Sequence, residues 1–219
     1  INTCAEREPD EIDDHDNPVI IAGYGRFGQI VSRLLKASGY EATLLDHDAG
    51  QIELTGRFGY KVFYGDAANG DLLRAAGAGR ARLLVIAIDD KEKAVEMIHI
   101  ARMQFPNLKI LARAYDRTHA YELIHAGADF LSRETFGSAL AMGEEALQLL
   151  GLSEGRAKRM AASFDKHDTE GMYKLSEVWG DDHEYGMRIR QNLETLESVL
   201  QADLDSPEPA VDKPAPGGG

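Results

Sequence analysis

From Val19 onward, the chain alternates between short apolar runs and longer stretches whose apolar residues recur at helical spacing, as at Ile30, Leu34 and Leu35. This alternation is typical of βαβ units, which build a parallel sheet with a helix between successive strands. We therefore predict an α/β fold of the Rossmann type, a doubly wound parallel sheet of about six strands. The predicted strands occupy residues 19–23, 41–46, 61–64, 83–88, 108–112 and, with the weakest pattern, 128–131.

Downstream of the last predicted strand the pattern becomes helical. Residues 134–150 carry apolar side chains at helical spacing and end at Gly151, which is a suitable helix terminator. A second helix is predicted over 153–164, with Ser153 as its N-cap, and a mixed helix-forming stretch continues to about residue 204. The sheet is therefore expected to be followed by a peripheral helical extension.

The two ends of the chain differ from the middle in composition. Residues 1–18 are acidic and poor in large apolar side chains, so they cannot bury enough surface to offset the entropy of ordering. We expect a linker there, then the Rossmann domain over 19–132 and the helical extension over 133–204. Residues 205–219 are rich in Pro, Gly and acidic groups, which predicts a disordered tail.

Charge and cysteine content narrow the function classes. The net charge of −13 argues against binding to nucleic acid or to an anionic membrane surface, because both draw affinity from Lys and Arg. A single cysteine, Cys4, allows no intramolecular disulfide and indicates a cytoplasmic protein. The chain opens at Ile1 with an acidic stretch and has neither a secretory signal nor an apolar run of membrane-spanning length, so we expect a domain excised from a longer protein.

The candidate chemistry lies in a glycine-rich loop directly after the first predicted strand. Gly23, Gly25 and Gly28 form the pattern G-x-G-x-x-G and open an amphipathic helical stretch. In this context the first glycine permits a tight turn, the second lets the backbone approach phosphate oxygens, and the third lets helix and strand pack closely. The helix N-terminus adds unpaired N–H groups, and Arg26 could add charge-assisted bonds. The sequence therefore predicts a phosphate cradle.

Acidic residues at the ends of later strands complete the predicted nucleotide site. Asp46 ends the second strand, where a carboxylate would meet the ribose hydroxyls and repel a 2′-phosphate, so AMP or NAD(H) is favoured over NADP. Asp66 and Ala67 are candidates for the adenine edge, and Ile88 and Asp89 for the adjacent rim. The residues predicted to bind the nucleotide are Gly23, Gly25, Arg26, Phe27, Gly28, Asp46, His47, Asp66, Ala67, Ile88 and Asp89.

A purely structural interpretation of these residues stays open. The glycines could simply shape a turn, Asp46 and Asp66 could be helix N-caps, and for Asp89 a cap is at least as good an interpretation as a ligand contact. Arg26 could face solvent, although a guanidinium beside an anion cradle favours a phosphate contact.

Several short motifs together resemble a known family. They are Gly23-Tyr-Gly-Arg-Phe-Gly28, Leu45-Asp-His-Asp48, Phe63-Tyr-Gly-Asp-Ala67, Ala112-Arg-Ala114 and the Arg-Glu-Thr-Phe that begins at Arg133. In combination they are similar to the KTN/RCK domains that regulate potassium channels and transporters, and most of all to the cytosolic domain of the bacterial Kef glutathione-gated potassium efflux systems. The resemblance extends from about residue 19 to residue 175.

The resemblance implies a regulatory domain rather than an enzyme. Such a domain binds AMP or NAD(H) in the Rossmann crevice, dimerises through the helix at about 134–150, and lies at the cytoplasmic face of the bacterial inner membrane. Its partner would be a membrane transport domain of the same full-length chain, and an ancillary cytosolic subunit is a second candidate partner. Glutathione near the dimer interface would keep the K⁺/H⁺ antiport system closed, and glutathione adducts of toxic electrophiles would open the system.

The resemblance also implies where glutathione binds. Arg33 on the first Rossmann helix, Arg133 and Asp168 occupy the corresponding positions, with His167 as an alternative to Asp168 and with Asp168 expected after the second helix of the extension. Guanidinium groups recognise the two carboxylates of glutathione well. Without the resemblance, Arg33 is a residue of a solvated helix face and Arg133 a partner for a nearby acid.

Other function classes remain as alternatives. An NAD-dependent oxidoreductase lacks support because the chain has no Tyr-x-x-x-Lys pair, and His99, His119 and His125 fall in helical stretches as surface or packing residues. No metal site is expected from one cysteine and this histidine spacing. A redox-sensing transcription factor would need a basic helix-turn-helix, which the acidic flanks argue against. A KTN/RCK domain that senses only nucleotide or ions is the third alternative.

Overall fold

A computed structural model describes residues 8–14, 16–57 and 59–206, without the side chain of Leu54. Residues 1–7 and 15 of the expected linker and 207–219 of the expected disordered tail lie outside this part. The chain divides into two compact units, Ile1–Phe136 and Gly137–Gly219, here called the first and the second unit. The first unit alternates strands and helices: β1 Val19–Ala22, α1 Arg26–Ala37, β2 Ala42–Asp46, α2 Ala49–Gly56, β3 Val62–Tyr64, α3 Gly70–Ala75, β4 Leu83–Ile86, α4 Lys91–Gln104, β5 Lys109–Ala114, α5 Arg117–Ala126 and β6 Phe130–Arg133.

The six strands form one parallel sheet in the order β3-β2-β1-β4-β5-β6. Val19 of β1 pairs with Ala42 of β2 on one side and with Leu83 of β4 on the other. The strand order therefore reverses at β1, and such a switch point opens a crevice at the carboxyl ends of the strands, where ligands of open α/β sheets bind. The predicted Rossmann-type fold is confirmed, and the glycine-rich loop lies at this crevice.

The core of the first unit lies around the central strands. All four residues of β1 are buried, since helices cover both faces of the sheet. Tyr24, two residues after the end of β1, is also fully buried, and its ring packs against that of Tyr60 with 5.7 Å between ring centroids. The residue that follows the first loop glycine is thus a core residue, which anchors the loop to the sheet.

The described residues before β1 contact the edge of the sheet through polar groups. The Asp10 N–H donates to the carbonyl of Tyr64 over 2.9 Å, and the Tyr64 N–H donates to Oδ2 of Asp10 over 2.8 Å. Asp13 and Asp16 form ion pairs with Lys61 and Arg80. Composition predicted a linker here because the segment has little apolar surface to bury. The observed contacts use backbone groups and charges, which an argument from apolar surface does not take into account.

The second unit contains two long helices, α7 Glu154–Ser176 and α8 Asp182–Asp205, after α6 Phe136–Leu149. The predicted end of the second helix at residue 164 was wrong, because buried Met172 and Leu175 continue the apolar face of Ala157 and Ala161. Helix α8 ends at Asp205, where the tail was expected to begin. A Cβ on Gly171 would lie 2.2 Å from Nδ2 of Asn192, so α7 and α8 pack closely there.

Four strands also differ from their predicted ends. Strands β1 and β4 stop at Ala22 and Ile86, before the predicted 23 and 88, while β5 and β6 continue past 112 and 131 to Ala114 and Arg133. At β1 the cause is Gly23, whose φ of +95° leaves the extended region and turns the chain into the loop.

His119 on α5 is a buried titratable group of the first unit, with 2% of its surface exposed. Its Nδ1 accepts the Tyr115 N–H over 3.1 Å, so the ring proton is on Nε2, which lies 3.2 Å from the carbonyl of Lys91. Burial lowers the pKa of His119, and this outweighs the Lys91 carbonyl, Glu122 and Asp116, which raise it. The neutral ring is therefore part of the packing, as the sequence predicted.

This burial makes folding stability depend on pH. Below the ordinary pKa of about 6.5, the unfolded chain takes up a proton on His119 that the folded chain does not, so the free energy of unfolding falls as pH falls, by at most about 1.4 kcal/mol per pH unit. Urea unfolding at pH 7.5 and 5.5 should show a smaller pH-dependent loss for His119→Gln than for the parent chain. The exposed His99→Gln is the control, and an unchanged loss in His119→Gln would contradict this account.

Candidate functional site

The glycine-rich loop fits the sheet only because of its first and third glycines. A Cβ on Gly23 would lie 2.7 Å from the backbone carbon and oxygen of Ala87, and a Cβ on Gly28 would lie 2.0 Å from the carbonyl oxygen of Gly23. Both contacts are with backbone, which cannot move aside. A Cβ on Gly25 would meet nothing within 4 Å. Gly23 and Gly28 therefore serve packing, whereas Gly25 borders open space.

Asp46 holds the loop in place from the end of β2. Its Oδ2 accepts the Tyr24 N–H over 2.7 Å, and its Oδ1 accepts the Asp48 N–H over 2.8 Å. The carbonyl of Tyr24 in turn accepts amide donors from Gln29 over 3.2 Å and Gln51 over 3.1 Å. Because Asp46 is buried, these bonds are protected from water and fix the loop before any ligand arrives.

The N-terminus of α1 directly follows this loop and begins after Gly25. Among the described residues no side chain caps this helix, and its first turn carries no acidic residue. Uncapped N–H groups and the positive end of the helix dipole attract an anion. The start of α1 therefore has the donors and the polarity that the predicted phosphate cradle requires.

The helix-cap alternatives for the three acidic residues are wrong. Asp48 caps α2, Asn69 caps α3 and Asp90 caps α4. Asp46 instead holds the loop, and Asp89 forms an ion pair with Arg113.

Asp66 accepts the Ala68 N–H over 3.0 Å and is 2.9 Å from Nζ of Lys93. Burial tends to raise the pKa of Asp66, but these two hydrogen bonds outweigh burial and hold the pKa below its ordinary value. Asp66 is therefore ionised at neutral pH.

Most of the predicted nucleotide ligands border one cavity of about 750 Å³ at the carboxyl ends of the strands. Asp66 and Ala67 line a smaller adjoining cavity that shares Gly23, Asp46, His47 and Ile88 with the first. Gly28 packs beneath the loop and lines neither. The predicted residues on the large cavity are Gly23, Gly25, Arg26, Phe27, Asp46, His47, Ile88 and Asp89.

The three residues implied for glutathione lie in different places. Arg33 is exposed on α1 in a shallow groove with Leu34 and Tyr60, outside the nucleotide cavity. Arg133 ends β6, with its guanidinium carbon 3.5 Å from the centroid of the Phe136 ring. Asp168 belongs to the second unit and lies within α7, so its expected place after that helix was wrong.

Sequence reasoning missed Arg113 as a site residue. It lies in β5 among apolar neighbours, is buried, and lines the large cavity. Its Nη2 donates to the carbonyl of Ile88 over 2.9 Å. The signal in the sequence was an arginine between two alanines of a mainly apolar strand. Arginine is rarely buried unless its charge is paired.

Two further properties concern only residues 8–14, 16–57 and 59–206. Within them, three or more His, Cys, Asp or Glu side chains nowhere converge on a possible metal position. None of the helices in that part combines the length and the apolar character needed to cross a membrane.

Each of the two units matches the model of a known protein family. Residues 19–133 match the TrkA-N domain family model, and residues 138–214 match the model of the potassium efflux system KefB C-terminal domain. A solved structure described as the Shewanella denitrificans Kef CTD in AMP bound form is 52% identical, with a TM-score of 0.68. The match covers 74% of this chain and 99% of that one. The chain belongs to the Kef-type KTN/RCK (TrkA-N) domain family.

Curated relatives of this Kef-type domain are much longer than the chain. The glutathione-regulated potassium-efflux system protein KefC of Salmonella arizonae is 41% identical over 203 residues, which are 93% of this chain and 33% of the relative. The chain thus spans about a third of the length of these relatives. The TrkA-N domain of the Escherichia coli inner membrane protein ybaL is 24% identical with a TM-score of 0.54, and shares the fold.

Proposed function

We propose that this chain is the cytosolic regulatory domain of a bacterial glutathione-gated potassium efflux system with K⁺/H⁺ antiport activity. The main support is that the chain matches nearly the whole length of a Kef C-terminal domain. It matches only about a third of the length of its KefC relatives. The remaining two thirds would include the membrane transport domain, and this domain would lie at the cytoplasmic face of the inner membrane. An ancillary cytosolic subunit is a candidate further partner. The domain itself performs no catalysis.

The nucleotide in the crevice is AMP or NAD(H) in this proposal. The Shewanella neighbour is described as AMP bound, and the present loop offers a phosphate cradle through Gly25 and the uncapped start of α1. The buried Asp46 would accept ribose hydroxyls through its remaining lone pairs and repel a 2′-phosphate. Asp66 and Ala67 would border the adenine from the adjoining cavity.

Glutathione is the regulatory ligand in this proposal. Its two carboxylates require cations, and Arg33 and Arg133 supply guanidinium groups. Stacking on Phe136 holds the Arg133 guanidinium at the end of β6, and Asp168 or His167 would supply a polar contact from α7. Free glutathione and its adducts would favour different arrangements of the domain, because a ligand biases conformation only through its differential affinity for two states.

We also propose that the domain forms a homodimer through α6. Helix α6 contains no buried residue, although it is rich in apolar side chains, and Met142 and Leu149 are 76% and 81% exposed. An apolar face of this kind is stabilised by a partner that covers it. A second copy of the chain meets that need and would place glutathione near the interface.

Gly25 offers the sharpest test of the nucleotide site. The Gly25→Ala Cβ would project into the space reserved for phosphate, so AMP affinity measured by calorimetry should fall at least about tenfold, or about 1.4 kcal/mol. The free energy of unfolding should change by about 1 kcal/mol or less, because the Cβ meets no protein atom. Gly79→Ala, equally unobstructed and exposed, is the control. Undiminished AMP binding by Gly25→Ala would refute the assignment.

Arg133 offers the corresponding test for glutathione. Calorimetry should show binding of glutathione and of a bulky S-substituted glutathione, each weakened about ten- to a hundredfold by Arg133→Ala through loss of a charge-assisted contact. The exposed Arg190→Ala on α8 is the matched control. The two ligands should compete. Binding of neither by the parent chain would leave the nucleotide-only KTN/RCK alternative, and turnover of NADH with keto substrates would revive the oxidoreductase.

A further inference from the structure

Arg113 carries a buried charge that the proposed nucleotide site does not use. Its side chain is 6% exposed on β5, in a strand whose neighbouring residues are apolar. Removing a guanidinium from water costs free energy unless its N–H groups are hydrogen-bonded and its charge is paired. The partners of Arg113 therefore decide what this residue does.

Those partners satisfy the guanidinium only in part. Nη2 donates to the Ile88 carbonyl and to Oδ1 of Asp89, but the side chain of Asp89 is 95% exposed, so water screens this pair. Nε is buried and has no hydrogen-bond partner in the described part of the chain. The nearest carboxylate oxygen recorded for Nε belongs to Glu134, at 4.0 Å. One donor of a five-donor group is thus unused in a ligand-sized cavity.

The position of Arg113 defines which part of a ligand it can reach. In the proposed site, the adenosine lies by β2 and β3, and its phosphate lies on the loop after β1. Arg113 lies on β5, two strands beyond β1, and its guanidinium carbon is 5.8 Å from the ring centroid of Phe27, in the first turn of α1. A ligand that continues past its first phosphate along the same cavity therefore approaches Arg113.

We propose that Arg113 binds the second phosphate of an adenine nucleotide, so that the crevice prefers a pyrophosphate-containing ligand to AMP. This inference rests on the proposed nucleotide function and specifies its ligand class. Guanidinium and phosphate form bidentate, charge-assisted hydrogen bonds, which would employ the unused Nε. Asp89 then acts as a counter-ion that the second phosphate displaces from Arg113.

Calorimetry on nucleotide-free protein, without divalent cations, tests this with AMP, ADP and NADH. The parent chain should bind ADP and NADH at least about tenfold more tightly than AMP. In Arg113→Gln the ratio of ADP to AMP affinity should fall to near one. In Asp89→Asn the same ratio should rise about threefold, because the competing carboxylate is gone and the exposed substitution does not threaten folding.

The outcomes separate the two proposals. Failure of the parent chain to bind any of the three nucleotides overturns the proposed nucleotide function, and this inference with it. Binding of AMP with no preference for ADP overturns the role of Arg113 alone. An ADP-to-AMP ratio that Asp89→Asn leaves unchanged or lowers shows that Arg113 only joins β5 to the end of β4. The Asp89→Asn measurement therefore tests the role of Arg113 even if Arg113→Gln does not fold.

Discussion

The Asp46 carboxylate is the constraint on which the rest of the site depends. By accepting the backbone N–H groups of Tyr24 and Asp48, it ties the loop after β1 to the end of β2 inside the protein. Loop flexibility would otherwise have to be frozen when the ligand binds, at an entropic cost. With the loop fixed and Tyr24 buried beneath it, the start of α1 keeps its uncapped N–H groups in position for the proposed phosphate.

The same crevice connects distant parts of the first unit. It begins at Asp46 and His47 after β2, passes the loop after β1, and continues to Arg113 on β5 and Glu134 after β6. Glu134 directly follows Arg133, the proposed glutathione ligand. A nucleotide that reorganises the partners of Arg113 would therefore act one residue from Arg133. Under the two proposals, this proximity would let a bound nucleotide influence the binding of glutathione.

Most of the fold could be predicted because strand, loop and helix patterns agreed with one another along the first unit. The first and third glycines of the loop were predictable in the same way, since a Cβ on Gly23 or Gly28 would collide with backbone atoms. The length of α7 could not be predicted, because the burial of Met172 and Leu175 becomes visible only once the second unit is folded. The docking of Asp10 on Tyr64 also escaped prediction, since pairing at a sheet edge uses backbone groups that composition does not show. Arg113 was visible in the sequence, but its unpaired Nε exists only in three dimensions.

Nucleotide binding as proposed here requires the loop to present backbone N–H groups to a bound phosphate. Amide resonances followed during a titration with AMP measure this directly. We expect large downfield proton shifts and slowed hydrogen exchange at Arg26, Phe27 and Gly28, while the Tyr24 amide, already bonded to Asp46, keeps its protection throughout. Saturation with AMP that leaves the Arg26, Phe27 and Gly28 amides unshifted would contradict it.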